Sequence, residues 1–110
     1  MPRVVEIRGY NLKPGTREKF HRLVATQSAP MLARWNVDVV AHGPSLDAEN
    51  AYFLIRAYGS VGDLRKSQEA FYASGEWREG PRQAILDCIV NDTSAVLELD
   101  EPTIDGLRRA

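Results

Sequence analysis

Hydrophobic and polar residues alternate along four stretches of the chain, and this period of two predicts four β-strands. In the first stretch, VVEIRGY, Val5 and Ile7 point to one side of an extended chain, whereas Glu6 and Arg8 point to the other. The same alternation recurs over residues 37–43, 51–58 and 93–99. Each predicted strand therefore has two chemically different faces.

Apolar residues at helical spacing predict a helix between the first two strands. Thr16 is placed to be its N-cap, directly after the Pro14-Gly15 turn. Its expected buried stripe consists of Phe20, Leu23, Val24, Gln27, Met31 and Trp35. Pro30 lacks a backbone N–H, so we expect it to kink the helix near Thr26. Asn36 is a plausible C-cap.

A second helical region separates the third and fourth strands. The first part is predicted to start after Ser60 and to end near residue 73, and a second part spans about 81–90. The expected inner stripe of the first part consists of Val61, Leu64, Gln68 and Phe71. The resulting order β-α-β-β-α-β predicts an α+β, ferredoxin-like sandwich with both helices on one side of a four-stranded antiparallel sheet. We expect one domain over residues 1–100 and a loose C-terminal tail, 101–110, which could instead hook onto a neighbour.

The two faces of the predicted sheet differ in polarity. One face is apolar and is expected to lie under the helices: Val5, Ile7, Val37, Val39, Ala41, Phe53, Ile55, Ala57, Ala95, Leu97 and Leu99. The other face mixes charged, aromatic and aliphatic residues: Glu6, Arg8, Tyr10, Asp38, Val40, His42, Tyr52, Leu54, Arg56, Tyr58, Val96 and Glu98. It is too apolar for a wet surface, so we expect a second copy of the chain to cover it in a homodimer. Arg8 and Arg56 would lie on the two central strands, within reach of Glu6 and Glu98.

Composition excludes some classes of function. The chain has 110 residues, 44% of them hydrophobic, and a formal net charge of −1, so it offers no basic surface for nucleic acid. No apolar run approaches the roughly 20 residues that span a bilayer, so we expect no membrane partner. Cys88 is the only cysteine and the N-terminus lacks the apolar core of a secretory signal, which together predict a cytoplasmic location.

Four segments carry a resemblance to a known family. They are EIRGYNLKPG (6–15), Ala29-Pro30-Met31-Leu32, Tyr58-Gly59-Ser60 and Glu76-Trp77. Over about residues 4–99 the chain resembles the NIPSNAP family, within the dimeric α/β-barrel superfamily. The resemblance implies that two copies join their sheets face to face into a barrel with small-molecule cavities. Related barrels include quinone-forming monooxygenases and haem-degrading enzymes, whereas NIPSNAP members mostly lack an assigned reaction.

Two histidines are candidates for chemistry. His21, on the first helix, could be a general base or a haem ligand, or a boundary residue with one nitrogen in water. His42 could join Tyr52 in a pocket, or simply end its strand. Their separation of 21 residues fits no metal-ligand spacing, so we expect no metal. We also expect no tightly bound cofactor.

The remaining candidates are aromatic or cationic. Trp77 could wall a ligand cavity or anchor a loop against the core, and Tyr10 could donate a proton or pack inside a barrel. Arg8 and Arg56 could hold a carboxylate or enolate, or pair with neighbouring carboxylates.

Three functions remain open at this point. The first is a protein that binds or transforms a small apolar or aromatic metabolite, in which Arg8, His42, Tyr52, Arg56 and Trp77 bind the ligand and Tyr10 or His21 transfers a proton. The second is a non-enzymatic protein-interaction module. The third is a haem-binding or cofactor-independent monooxygenase. An enclosed cavity at the candidate residues would favour a binding protein or enzyme over a module.

Overall fold

A four-stranded antiparallel sheet organises the molecule, which we describe over residues 2–108 of a computed structural model. The strands are β1 (Arg3–Leu12), β2 (Asp38–Pro44), β3 (Ala51–Tyr58) and β4 (Ile89–Leu99). Their order in the sheet is β2-β3-β1-β4, so Arg8 on β1 and Arg56 on β3 do lie on the two central strands. Met1, Arg109 and Ala110, at the ends of the predicted domain and tail, lie outside the described residues.

Six helices accompany the sheet over the described residues. They are α1 (Arg17–Leu23), α2 (Ala29–Arg34), α3 (Val61–Ala73), α4 (Gly75–Glu79), α5 (Arg82–Cys88) and α6 (Glu101–Leu107), with a π-helical segment, Val24–Ser28, between α1 and α2. The first five pack on one face of the sheet and share its larger core. This confirms the α+β, ferredoxin-like fold. No helix in this part of the chain is long and apolar enough to cross a membrane.

The π-helical segment lies where the sequence predicts a disturbed helix. Pro30 cannot donate a hydrogen bond to the carbonyl of Thr26, so regular α-helical bonding is interrupted before it. The wider turn changes the helix phase: Ser28 is buried and Gln27 is exposed, the reverse of the predicted stripe. Trp35 also leaves the predicted core, because it lies at the helix end, where its indole N–H donates to Glu76 and 37% of the residue is exposed.

The helices cover the face of the sheet opposite to the one predicted. Tyr10, Tyr52, Leu54 and Tyr58 belong to the core under the helices. Alternation distinguishes the two faces of a strand but does not say which face receives the helices. The half-polar face, which carries Glu6, Arg8 and Arg56, can be buried within one chain because Glu6 forms ion pairs with both arginines there. Helices of the same chain, and not a second copy, therefore cover it.

A β-bulge at Val40 corrects the predicted faces of β2. Val39 pairs with Arg56 while Ala41 pairs with the preceding residue, Ile55, so Val40 is an extra residue. The bulge reverses the alternation. As a result Val40 and Ala41 pack in the cluster on the far side of the sheet, whereas Val39 packs against the core under the helices.

Residues 101–107 are not a loose tail. Helix α6 packs on the sheet face opposite the other helices, and its Ile104 is fully buried (0% exposed) in a second apolar cluster. Two guanidinium nitrogens of Arg108 donate to Asp38 at 2.8 Å each, and Arg3 donates to the same carboxylate at 2.9 Å. Both apolar packing and ion pairing therefore hold α6 in place.

Helix α6 leaves part of this second face uncovered: Val5 of β1 and Leu99 of β4 pack in its cluster, but the middle of the β1–β4 half does not. Ile7 and Leu97, on the β1–β4 half, are exposed. Strand β4 is exposed along most of its length, including Val90 and Val96. We call Ile7, Ala95 and Leu97 the bare half-face.

Replacement of Ile104 tests whether α6 belongs to the folded domain. We expect Ile104→Ala to lower the free energy of unfolding by about 2–5 kcal/mol, because it leaves a cavity in the second cluster. Leu46→Ala is the control, since Leu46 is fully solvent-exposed and should change stability little. Urea denaturation followed by circular dichroism measures both. Equal stability of the two variants would contradict the docking of α6.

Candidate functional site

A buried ion pair lies at the centre of the half-polar face. Glu6 and Arg56 are direct cross-strand neighbours on β1 and β3. Arg56 is 0% exposed, and its Nε donates to Glu6 Oε1 at 3.0 Å while its Nη2 donates to the same oxygen. Gln68, on α3, donates a third hydrogen bond to that oxygen at 3.0 Å. These charge-assisted hydrogen bonds compensate much of the cost of removing both charges from water.

The second oxygen of Glu6 faces β4. Arg8 Nη2 donates to Oε2 at 3.2 Å, and Ser94 Oγ lies 3.5 Å from it. Burial alone raises the pKa of Glu6, but the charges and hydrogen bonds of Arg56 and Arg8 outweigh burial and hold the pKa below its ordinary value. Glu6 is therefore ionised at neutral pH. The predicted partner Glu98 is instead an exposed residue of β4, and it pairs with neither arginine among the described residues.

Tyrosine hydroxyls surround the two arginines. Arg56 Nη1 donates to Tyr72 Oη at 2.8 Å, and the guanidinium carbon lies 5.9 Å from the centre of the Tyr72 ring. Burial, and next the nearby Tyr72, raise the pKa of Tyr10 to about 12. Burial likewise raises the pKa of Tyr58, whose hydroxyl accepts from Gln68 at 3.3 Å. Tyr10 and Tyr58 therefore remain neutral phenols at physiological pH.

Arg8 is the less satisfied of the two arginines. Its Nε is shielded from solvent and has no hydrogen-bond partner among the described residues, although 21% of the side chain is exposed. Buried polar nitrogens without a partner are uncommon in folded proteins and often mark the place of a water or an ion. Arg8 thus has one N–H that is available to an acceptor.

A small cavity lies between the sheet and the helices. Its volume is about 30 Å³, enough for one or two water molecules. The lining residues are Tyr10, Phe20, Val24, Ser28, Leu32, Leu54, Arg56, Phe71, Tyr72, Trp77 and Ile85. The structure thus brings together three residues singled out in the sequence, namely Tyr10, Arg56 and Trp77. The buried Ser28 shows that the π-helical segment forms part of the wall.

Trp77 closes the cavity from the short helix α4. Its ring centre lies 5.4 Å from those of Phe71 and Tyr72. Ser74 caps α4 by accepting from the Trp77 N–H at 3.2 Å. Gly80 ends the helix at a point where a Cβ would clash with the carbonyl oxygen of Glu76. The Ser74 cap and Gly80 therefore limit the helix that carries Trp77 to five residues.

His21, His42 and Tyr52 form a separate cluster. Tyr52 Oη lies 2.6 Å from His21 Nδ1 and 2.8 Å from His42 Nδ1. A phenol has one proton, so it donates to one imidazole and accepts from the other. Burial, and next Tyr10, raise the pKa of Tyr52. The predicted pairing of His42 with Tyr52 is present, but neither histidine lines the cavity, and the cluster connects α1 to β2 and β3.

Tyr72 and Ser28 are site residues that the sequence did not single out. Tyr72 follows Gln68 by four residues, one helical turn further along the predicted inner stripe, and that spacing was the available signal. Ser28 gave no such signal, because only the π-helical turn directs it inward. The described residues contain no group of three or more histidine, cysteine, aspartate or glutamate side chains that could hold a metal.

Comparison with known proteins identifies a family match. The NIPSNAP family model matches residues 5–99. An uncharacterized NIPSNAP-like domain protein from Burkholderia xenovorans is similar in structure, with a TM-score of 0.81 and 18% identity over 90% of this chain and 86% of that one. A NIPSNAP family protein of unknown function from Agrobacterium tumefaciens has a TM-score of 0.79 and 20% identity, covering 88% of this chain and 87% of that one.

The fold is shared more widely. A putative antibiotic biosynthesis monooxygenase from Bordetella bronchiseptica has a TM-score of 0.69 and 22% identity over 92% of this chain and 98% of that one. At this identity the likeness concerns the fold alone. No curated protein matches the chain.

The Glu6–Arg56 pair makes a pH-dependent prediction. Because the folded-state pKa of Glu6 is lowered, its stabilising contribution is fully present above about pH 4.3 and is lost as the pH falls through the folded-state pKa. We expect Glu6→Gln to cost about 3–5 kcal/mol at pH 7, since it leaves Arg56 buried without a counter-charge. The difference from the wild type should shrink below about pH 4.

Urea denaturation at a series of pH values measures this difference. Glu98→Gln is the matched control, because Glu98 lies on the same face of the sheet but is exposed. A wild-type advantage over Glu6→Gln that stayed constant from pH 7 to pH 3 would contradict the assignment of the buried charge.

Proposed function

This chain belongs to the NIPSNAP family, and we propose that it binds a small apolar or aromatic molecule in the cavity between its helices and its sheet. The observation that carries the proposal is the enclosed cavity at which Tyr10, Arg56 and Trp77 meet. Sites for small molecules combine mostly apolar walls with a few well-placed polar groups. The aromatic and aliphatic lining, together with the Arg56 guanidinium and the tyrosine hydroxyls, matches that description.

Two further features support a site at this place. Ionised groups are costly to bury, and buried pairs such as Glu6 with Arg56 are often kept at functional positions. A π-helical turn is likewise rare and is frequent near functional sites. The Val24–Ser28 segment lies directly in the cavity wall through both of its terminal residues. Two features that are uncommon in protein interiors thus meet at one cavity.

Ligand entry requires the cavity to open. Known ligand sites measure about 300–1,000 Å³, whereas this closed cavity holds about 30 Å³. We assign the movable wall to α4, since this helix has only five residues and is bounded by the Ser74 cap and by Gly80. Outward movement of Trp77 would add the volume of an indole ring to the cavity. The space is then suited to a planar aromatic molecule.

The proposed roles of the residues follow from their positions. Trp77 stacks on the ligand and Tyr10 donates a proton to it. Arg8, which does not line the closed cavity, contacts the polar end of the ligand once the cavity opens. Arg56 is a positioning residue, because Glu6 and Tyr72 already occupy its donors. In the separate cluster, His21 remains a candidate for proton transfer, and His42 and Tyr52 remain candidates for ligand binding.

Haem binding has less support than a small aromatic ligand. Neither histidine of the chain lines the cavity, so no imidazole is available there as an axial ligand. Addition of haemin with measurement of the Soret band tests this function directly. A protein-interaction module would require neither the buried charges nor the Arg8 N–H that has no partner among the described residues. These features therefore favour ligand binding over that alternative.

We propose that the protein forms a homodimer through the bare half-face. Exposed Ile7 and Leu97 form an apolar patch on it, and β4 is an 11-residue edge strand with uncovered faces. Such edges and patches are normally covered by another chain. Because the five helices that form the cavity, α1–α5, lie on the opposite face, this arrangement leaves the cavity of each copy intact. The lone, buried Cys88 suits a reducing compartment, and we place the dimer in the cytoplasm.

Ligand binding can be followed through Trp77. Trp35→Phe leaves Trp77 as the single tryptophan, and it serves as the reference protein. We expect titration with 2-naphthol to quench its fluorescence and to raise the melting temperature in proportion to ligand concentration. Ser28→Ile in this background should fill the cavity and weaken binding at least ten-fold.

Thr26→Val is the matched control, because Thr26 lies on the same π-helical segment but is exposed. It should bind 2-naphthol as the reference protein does. Quenching that Ser28→Ile and Thr26→Val affect equally would place the bound probe outside the cavity and would refute the proposal.

The homodimer is tested by sedimentation equilibrium at micromolar concentration. We expect the wild type to sediment at twice the chain mass of 12.3 kDa and Leu97→Glu to sediment as a monomer, because a charge replaces apolar contact at the centre of the interface. Leu46→Glu, in the exposed loop between β2 and β3, should remain a dimer. A monomeric wild type would exclude the interface.

A further inference from the structure

We infer that Tyr72 and Arg8 together bind a negatively charged oxygen of the ligand, so that the ligand is an aromatic anion such as a carboxylate, a phenolate or an enolate. This inference rests on the proposed function and adds to it the chemical class of the molecule and a residue outside the predicted set. It depends on three observations: the hydrogen bonding of Tyr72, the partnerless nitrogen of Arg8 and the balance of buried charge.

The first observation is the proton of Tyr72. The hydroxyl oxygen of Tyr72 accepts from Arg56 Nη1 at 2.8 Å. A guanidinium has no acceptor, so this bond uses a lone pair of the phenol and leaves its proton for another group. Tyr72 lines the cavity and is only half-buried. Its O–H is therefore a donor held in place by Arg56 and available to a molecule in the cavity.

The second observation is the N–H of Arg8. Its Nε is buried without a hydrogen-bond partner among the described residues. Tyr10 and Tyr72 lie near enough to act on the Arg8 guanidinium electrostatically. Arg8 does not line the closed cavity, but Tyr10 and Tyr72 do, so we place the Arg8 N–H next to the cavity beside these two phenols. An oxygen with two free lone pairs can accept from both.

The third observation is the sign of the charge. Arg8 and Arg56 contribute two positive charges, and Glu6 contributes the single negative charge paired with them. Tyr10, with its pKa raised to about 12, adds no charge at neutral pH. The cluster thus has one uncompensated positive charge beside an apolar cavity. An anionic ligand would neutralise it, whereas a neutral ligand of the same shape would not.

Together these features define a small oxyanion site. Glu6 orients Arg56, and Arg56 in turn orients Tyr72. The Tyr72 hydroxyl is therefore held in position before the ligand enters. Such preorganised donors stabilise negative charge better than mobile water does.

The test compares two probes of nearly the same shape, 2-naphthoate and 2-naphthamide, by Trp77 fluorescence in the Trp35→Phe protein. We expect the carboxylate to bind at least ten-fold more tightly than the amide. Tyr72→Phe and Arg8→Gln should each weaken binding of 2-naphthoate about ten-fold or more and leave the amide within about three-fold, because hydrogen bonds to charged groups are the stronger ones.

Tyr58→Phe is the matched control, since its hydroxyl accepts from Gln68 and does not line the cavity. It should retain the preference for the carboxylate. The amide also reports on folding, because a variant that still binds the amide has an intact cavity. Arg8→Gln provides an independent measurement if Tyr72→Phe does not fold.

The outcomes separate the inference from the proposed function. If the two probes bind equally well, or if Tyr72→Phe and Arg8→Gln keep the preference for 2-naphthoate, the oxyanion site is wrong while the cavity remains a binding site. If neither probe binds and 2-naphthol also fails, the proposed function is itself wrong, and the inference fails with it.

Discussion

The ion pair between Glu6 and Arg56 is the constraint on which the arrangement of this protein depends. Two charged groups on adjacent central strands lie under a layer of helices, and only their mutual hydrogen bonds make that position tolerable. The pair also determines where its hydrogen-bonding neighbours must lie. Gln68 must approach from α3, and Tyr72 must accept the remaining donor of Arg56. The polar centre thus fixes how α3 is placed over the sheet.

Alternation along the strands was sufficient to predict the fold and, except on β2, the membership of the two sheet faces. It could not predict which face the helices cover, because both faces carry apolar residues and the energy of a buried ion pair depends on contacts distant in sequence. The two deviations from regular periodicity had the same effect locally. The bulge at Val40 and the π-helical turn before Pro30 each shift the phase by one residue. Pro30 indicated where the helix is disturbed, but no residue type indicated the extra residue in either element.

The sequence identified the candidate site residues whose type alone, charged or aromatic, suggests a role in binding. Tyr10, Arg56 and Trp77 meet at one cavity, although they are far apart in sequence. Tyr72 was missed because a tyrosine near the end of a helix has no unusual property until its oxygen is seen to accept from an arginine. The histidines were found as well, but tertiary packing brings them to Tyr52 and away from the cavity.

The π-helical turn has a consequence for the tolerated length of the chain. The wider turn holds five residues, Val24–Ser28, where a regular α-helix turning about 100° per residue would hold about four. Loss of one residue would therefore let the helix return to regular geometry, and Met31 and Leu32 would keep their places in the core. Because both terminal residues of the segment line the cavity, its length determines the shape of the cavity wall and not the fold.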